Sequence, residues 1–265
     1  MLCTWENTTR EVAIAEPEIA LLPVATTEMQ GQHLPVGSKC FILDAISRRV
    51  GETLPCSTYL LPTLPLGTSG LHLGTPGTVA LGWETLASVV RDLVESLLAQ
   101  RISKVAVLVG LGDASGGAAW PSDNFIVKTA VRQLNYDHQE LQAIWVQPFR
   151  AAWTDLLDIF ETADKEVHAG EVITSVMLHL APDLVGEDRS DHVPAAGPEL
   201  LNYAPFARVC PGGVWGCPSL ASAQKGAQAF HAAVRHTANY IVSTFDSLAP
   251  MKTCQGAGER RSGDA

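Results

Sequence analysis

Positive charge is scarce in this sequence. The 18 lysines and arginines face 28 aspartates and glutamates, which gives a formal net charge of -10 at pH 7. A nucleic-acid partner needs a basic face that releases counterions, so the charge balance argues against one. Long apolar runs are missing too: no stretch approaches the ~20 residues of a membrane span, and the first residues lack the pattern of a secretory signal. We therefore predict a cytoplasmic protein with neither a nucleic-acid nor a membrane partner.

Paired cysteine motifs, internal repeats and linkers are also absent. None of the six cysteines forms a C-x-x-C pair, and a chain of 265 residues is long enough to bury a core without disulfides, so we predict reduced thiols. Composition does not change between residues 15 and 245, which favours one domain over residues 1–245. The polar, glycine-containing segment 246–265 has no periodicity and is predicted to be disordered.

Apolar runs alternate with helical patterns along the chain. Residues 19–25 and 105–109 are continuously apolar, as is typical of parallel strands buried on both faces. Between them, residues 83–100 place apolar side chains at helical spacing, and a strand-helix-strand order predicts a right-handed parallel crossover. The pattern continues with helices predicted at 127–134, 151–160 and 222–244 and a strand at 141–146. The sequence therefore predicts an α/β fold, a single three-layer α/β/α domain with a mainly parallel sheet.

Residues 19–39 contain the most specific motif, I-A-L-L-P-V-A-T-T-E-M-Q-G-Q-H-L-P-V-G-S-K. This segment resembles the opening motif of the creatininase family of metal-dependent amidohydrolases, an apolar strand followed by E-x-H-G-x-H-L-P-x-x-x-D. In that family the loop supplies ligands to a pair of divalent metal ions. Here Glu28 and His33 match the motif. Gln30 stands in place of a ligand histidine, and Lys39 in place of the metal-bridging aspartate.

Four further segments are similar to creatininase signatures. They are L-G-T-S-G-L-H-L-G-T-P-G-T at 66–78, V-L-V-G-L-G-D-A-S at 107–115, H-A-G-E-V-I-T-S at 168–175 and G-V-W-G-C-P-S-L-A-S-A-Q-K-G at 213–226. The motifs are in the family's order over roughly residues 19–242, which implies a creatininase-like fold and a homo-oligomer. The sequence departs from these signatures at positions that belong to the family motifs. At those positions it has Gly112, Ser115, Ile173 and Cys217.

The substitutions change the chemistry that the resemblance implies. A dinuclear site needs several carboxylates and imidazoles, and of the matching ligand positions only Glu28 remains. An ammonium group at position 39 would repel a nearby cation and pair with Glu28 instead. We therefore hypothesise that Lys39 replaces the positive charge of the metal and that no metal or other cofactor is bound. The alternative is one divalent ion, Zn or Mn, with Asp44 or Asp113 restoring a ligand.

Seven residues are candidates for the site. His168 matches the family histidine that has a proton-transfer role, and imidazole titrates near neutral pH, although it could equally cap a helix start. The loop 110–117 follows a strand at the edge where open α/β sheets bind ligands. If Lys39 is near, it would also lower the pKa of the Cys40 thiol, although an ordinary packing role is favoured for this cysteine. The predicted catalytic residues are Glu28, Lys39 and His168, and the predicted substrate-binding residues are His33, His72, Asp113 and Ser115.

Three functions fit these residues. The first is an enzyme of a specialised biosynthetic pathway that acts on a small-molecule amide, lactam or related C–N substrate. It would use metal-independent acid–base chemistry, for hydrolysis or for cyclisation or dehydration. The second is a non-catalytic creatininase-fold paralogue that binds a ligand or a partner. The third is a metal-dependent amidohydrolase with a rearranged site. Retained histidines favour the first function, and the joint loss of ligands favours the second.

Overall fold

Alternating strands and helices build the fold of this computed structural model, which describes residues 1–110 and 123–255. The strands are β1 (Leu2–Thr4), β2 (Ile19–Val24), β3 (Thr58–Leu60), β4 (Lys104–Val109) and β5 (Gln142–Val146). The α-helices are α1 (Thr9–Ala15), α2 (Ser38–Thr53), α3 (Trp83–Ala99), α4 (Asp123–Asp137), α5 (Pro148–Ala151), α6 (Trp153–Ile159), α7 (Glu171–Leu180), α8 (Phe206–Val209) and α9 (Ala223–Gln255). Short 3₁₀ turns, including Gly70–His72, lie in the connections.

The strands form one parallel sheet in the order β1-β3-β2-β4-β5. Strand β2 is central and pairs with β4 from Ile19 opposite Lys104 to Val24 opposite Val109. Because all strands run the same way, the segments that follow β2, β3 and β4 leave the sheet at the same edge. This edge is where ligands bind in open α/β sheets, and it positions the candidate site.

Helices cover both faces of the sheet. Ile19 and Leu21 of β2 pack into a core with α2, α7 and α9, whereas Ala20, Leu22 and Val24 point the other way, into a core with α3 and α4. Every residue of β2 is buried, as its uninterrupted apolar sequence predicts for a strand covered on both sides. The predicted three-layer α/β/α architecture with a parallel sheet is therefore confirmed.

The predicted bounds of long apolar segments agree closely with the structure, whereas the predictions for short segments and for segments of mixed composition do not. The predicted strands at 19–25, 105–109 and 141–146 and the helix at 83–100 agree with β2, β4, β5 and α3 to within one residue at each end. The three-residue strands β1 and β3 were missed. Helix α2 begins inside the predicted loop 28–39, and α7 begins inside the predicted loop 168–175.

The last helix is longer than predicted. The apolar spacing indicated an end at Thr244, but the helical backbone of α9 continues to Gln255. Residues 246–255 are thus helical although a disordered segment was expected to begin at 246, and residues 256–265 of that prediction lie outside the described part of the chain. No helix within the described ranges has the length and apolar character that a bilayer crossing would require.

Helices α7 and α9 cross so closely that only glycine fits at position 226. A Cβ built on Gly226 would lie 1.9 Å from the carbonyl oxygen of Ser175, which is backbone and cannot move aside as a flexible side chain can. The crossing fixes α7 against the body of the domain, and α7 directly follows the predicted site residue His168.

Substitution Gly226→Ala tests this close contact. Alanine normally stabilises a helix interior by about 1 kcal/mol relative to glycine. Here overpacking should reverse that sign and lower the free energy of unfolding by about 1–3 kcal/mol, measured by urea denaturation. Gly212→Ala is the matched control, because a Cβ there meets no atom within 4 Å. Equal effects at the two positions would contradict a tight crossing.

Candidate functional site

Glu28 and Lys39 come from the chain segment that links β2 to α2. Glu28 follows the end of β2 by four residues and donates its backbone N–H to the Val36 carbonyl, 3.0 Å away, which closes the loop. Lys39 is the second residue of α2, whose N-cap is Gly37. A cation in the first turn of a helix is disfavoured by the helix dipole, so Lys39 needs a nearby anion for compensation.

That anion is Glu28. The Lys39 Nζ lies 2.5 Å from Glu28 Oε1, and the side chains are only 13% and 4% exposed. Burial has the largest single effect and would raise the pKa of the Glu28 carboxyl, but the charge and hydrogen bond of Lys39, together with His72 and His168, outweigh it and hold this pKa well below its ordinary value. The predicted pairing of Lys39 with Glu28 is thus present, and it favours the ionised form of the carboxylate.

Two more side chains donate to the same carboxylate. The hydroxyl of Ser69 donates to Glu28 Oε2 over 2.5 Å, and the Gln30 amide nitrogen donates to Oε1 over 3.1 Å. Gln30 and Ser69 are both buried. Neither residue was predicted to have a catalytic or binding role, and the only signal for Ser69 was its place between two glycines of the family-like loop 66–78. Both carboxylate oxygens therefore already accept hydrogen bonds from protein donors.

His72 and His168 complete the cluster from two other elements. Their rings stack with centroids 4.3 Å apart, and the Phe206 ring packs against both at 4.8 and 5.0 Å. His72 belongs to the 3₁₀ turn after β3, and its Nε2 lies 3.9 Å from Glu28 Oε1. His168 forms an isolated antiparallel bridge with Trp215 just before α7. The structure thus brings together four predicted site residues, Glu28, Lys39, His72 and His168.

Both imidazoles are neutral near neutral pH. Burial lowers the pKa of His72, and burial together with His72 and Lys39 puts the pKa of His168 well below its ordinary value. His168 Nε2 lies 2.7 Å from the carbonyl oxygen of Met29. Because a carbonyl only accepts, this nitrogen carries the proton, and Nδ1 keeps a lone pair that can take up a proton or bind a cation.

Two glutamates anchor the α7 end of the site. Glu171, fully buried in the first turn of α7, accepts from Lys225 of α9 over 2.5 Å and from both the N–H and the hydroxyl of Thr162. Glu166 accepts from the backbone N–H of Val172 over 2.8 Å. These contacts hold the segment from 162 to 172, and hence His168, against α9.

The remaining predicted residues lie elsewhere or outside the described chain. His33 bonds to the Thr174 hydroxyl over 2.9 Å and its carbonyl accepts from Gly186, so it ties the 28–39 loop to α7, and its binding role stays a prediction. Asp44 is exposed and accepts from Thr63. Asp113 and Ser115 lie outside the described residues.

The idea that Lys39 activates Cys40 is wrong. The Cys40 thiol lies 3.3 Å from the carbonyl oxygen of Thr26, and burial raises the pKa of this thiol. Burial has the largest effect and outweighs the opposing charge of Lys39, so the thiol stays protonated. The five cysteines with described side chains are unpaired, which agrees with reduced thiols.

The donor set decides which metal arrangement fits. The pair of ions that the family resemblance implies does not fit, because the bridging position holds an ammonium group 2.5 Å from the one remaining carboxylate ligand, Glu28. A single ion finds three donors of suitable chemistry in Glu28, His72 and His168, whose ligand atoms lie within 4.8 Å of one another. Such an ion would compete with Lys39 for Glu28.

Known proteins share the motifs and the fold described above. The family model described as creatininase, or creatinine amidohydrolase, matches residues 2–241. The chain belongs to the creatininase family. Among solved structures, a mutant creatininase complexed with creatine aligns with a TM-score of 0.75 and 27% identity over 91% of this chain and 98% of that one. A mutant creatininase of Zn–Zn type aligns with a TM-score of 0.72 and 26% identity over 91% and 98% of the two chains.

One curated relative within the family has a different name. The mycofactocin precursor peptide peptidase of Mycobacterium ulcerans (strain Agy99) is 29% identical over 235 residues, which cover 84% of each chain. The creatininase family therefore includes both an amidohydrolase named for a small molecule and a peptidase named for a precursor peptide. The creatininase resemblance drawn from the sequence motifs is confirmed over nearly the whole chain.

Proposed function

We propose that this creatininase-family protein is an enzyme acting on the C–N bond of a small amide, lactam or short peptide in a specialised biosynthetic pathway, without a metal ion. One observation supports the proposal most: an ammonium group, Lys39, is held on the buried Glu28 carboxylate beside two neutral imidazoles. The relative named as a precursor peptide peptidase supports a biosynthetic role and widens the substrate class to peptides.

Each of three groups has a distinct part in the proposed reaction. Lys39 has N–H protons beyond the one on Glu28, and these can stabilise the negative charge that develops on a carbonyl oxygen. His168, protonated on Nε2 by its bond to Met29, has a lone pair on Nδ1 that accepts a proton and returns it to the departing nitrogen. Glu28 keeps Lys39 charged and in place. Proton transfers of this kind also suffice for cyclisation or dehydration.

The test uses chelator-treated protein with its metal content measured by mass spectrometry. It is assayed by liquid chromatography–mass spectrometry against small amides, lactams, creatinine and the mycofactocin precursor peptide. We expect turnover of at least one compound at substoichiometric metal. His168→Gln should slow it about 10²–10⁴-fold. The control is His179→Gln, at a partly exposed histidine in the last turn of α7, and it should leave turnover unchanged.

A second candidate is an amidohydrolase with one Zn or Mn ion on Glu28, His72 and His168, which the clustering of these three donors favours. Such an ion would supply a Lewis acid. Activity that is lost on chelation and restored by Zn or Mn would select this candidate over the first. Tight ligand binding with no turnover by any preparation would instead select the non-catalytic paralogue.

A further inference from the structure

Ser69 is held in an unusual backbone conformation beside the site carboxylate. Its φ of +20° is rare for a residue with a side chain, and it precedes the 3₁₀ turn that places His72. Strained backbone of this kind often occurs at functional positions, where the surrounding structure maintains it. Ala169, next to His168, is the other positive-φ residue with a side chain beside the cluster, at φ +51°.

The hydroxyl of Ser69 has a short hydrogen bond to an ionised acceptor. The 2.5 Å between Ser69 Oγ and Glu28 Oε2 is in the range of O–H···O⁻ bonds. A carboxylate that accepts a serine proton increases the electron density on the serine oxygen. The same carboxylate holds Lys39 on its other oxygen, so the hydroxyl and the ammonium group flank a single anion.

We propose that Ser69 is the nucleophile of the reaction, taking the part that metal-activated water plays in a metal-dependent hydrolase. This assignment rests on the proposed function. Among the site residues with described side chains, Ser69 alone has a hydroxyl in contact with the carboxylate.

The steps balance without any further reactant except water. Ser69 Oγ forms a bond to the carbonyl carbon while its proton is relayed through Glu28 to Nδ1 of His168, and Lys39 stabilises the oxyanion. The C–N bond then breaks, and the departing nitrogen takes that proton from His168, which leaves an ester on Ser69. Water attacks the ester, the new C–O bond forms, the Oγ–C bond breaks, and Ser69 regains a proton. The net change is amide plus water giving acid plus amine.

A fluorophosphonate probe tests the assignment without an identified substrate. The wild-type protein should gain one adduct, formed as a P–O bond with loss of fluoride, that maps to Ser69 in the peptide mass spectrum. Ser69→Ala should abolish this adduct, whereas Ser47→Ala, at a buried serine of α2, should retain it. Because the first measurement is made on the wild-type chain, a folding defect in a variant does not affect it.

Turnover of a compound found in the amide assay separates a nucleophile from a positioning residue. Ser69→Ala should lower turnover at least about 10³-fold, and acid quenching during wild-type turnover should trap an acyl group on Ser69. Absence of both the phosphonyl and the acyl adduct on wild-type Ser69 overturns the assignment, even if Ser69→Ala is slow. Labelling of Ser69 with no amide turnover would instead refute the proposed function and leave the nucleophile in place.

Discussion

Replacing Lys39 by methionine is expected to lower the free energy of unfolding by about 3–5 kcal/mol, because it leaves the buried Glu28 carboxylate without its cation. Methionine keeps an apolar side chain of similar length, so the lost charge dominates the change. Turnover should fall about 10²–10³-fold at the same time, since the group that stabilises the oxyanion is gone. Urea denaturation followed by circular dichroism measures the first effect, and the amide assay the second.

A double substitution separates charge compensation from packing. Glu28→Gln combined with Lys39→Met removes both charges and should recover most of the lost stability, although not the activity. The matched control is Arg49→Met on the same helix, where the partner Glu52 is exposed, and we expect less than about 1 kcal/mol. If Lys39→Met is as stable as the Arg49 control, Lys39 does not compensate a buried charge, and the electrostatic account of the site fails.

Raising the pH from about 4.5 to about 7 is expected to cost the folded state roughly 3 kcal/mol through Glu166 alone. Burial raises the pKa of this carboxyl from 4.5 to about 7, against hydrogen bonds from Val172, Ile173 and Gly170 that lower it. Within that window the folded chain keeps a proton that the unfolded chain has released. The free energy of unfolding therefore falls as pH rises, by about 1.4 kcal/mol per pH unit at most.

Glu166→Gln isolates this contribution. Glutamine keeps a carbonyl oxygen to accept the Val172 N–H but does not titrate, so the variant should lose less stability than the wild type as pH rises through the window. Urea midpoints at four or five pH values provide the comparison. Glu140→Gln, an exposed control, should follow the wild-type curve. Parallel curves for wild type and Glu166→Gln would show that Glu166 ionises normally in the folded protein.

Local sequence patterns predicted an element correctly where one hydrophobic pattern extended over its whole length. The run I-A-L-L-P-V predicted a strand buried on both faces, and β2 is such a strand. Helix α3 was predicted from the helical spacing of its apolar side chains. Strands β1 and β3 have three residues each, too few to display a period, and they exist because the backbone of β3 pairs with both β1 and β2.

The candidate site was predictable only in part. The motif match located Glu28, Lys39, His72 and His168 one by one, and elementary electrostatics predicted that Lys39 would pair with Glu28, which it does. Ser69 and Gln30 were missed, because a serine and a glutamine look like ordinary loop residues until a buried carboxylate lies within hydrogen-bond distance. For Cys40 the favoured packing role agrees with the structure, where burial raises the pKa of the thiol despite the nearby Lys39.

By itself the sequence determined the α/β architecture, the family and the exchange of a metal-bridging carboxylate for an amine, because these depend on periodicity and on residue type at motif positions. Tertiary structure alone decided that His72 stacks on His168, that Ser69 shares the carboxylate with Lys39, and that His33 turns away to Thr174. Such contacts join residues up to 141 positions apart in the chain. Their distances are set by how three layers pack on a parallel sheet, which no local pattern encodes.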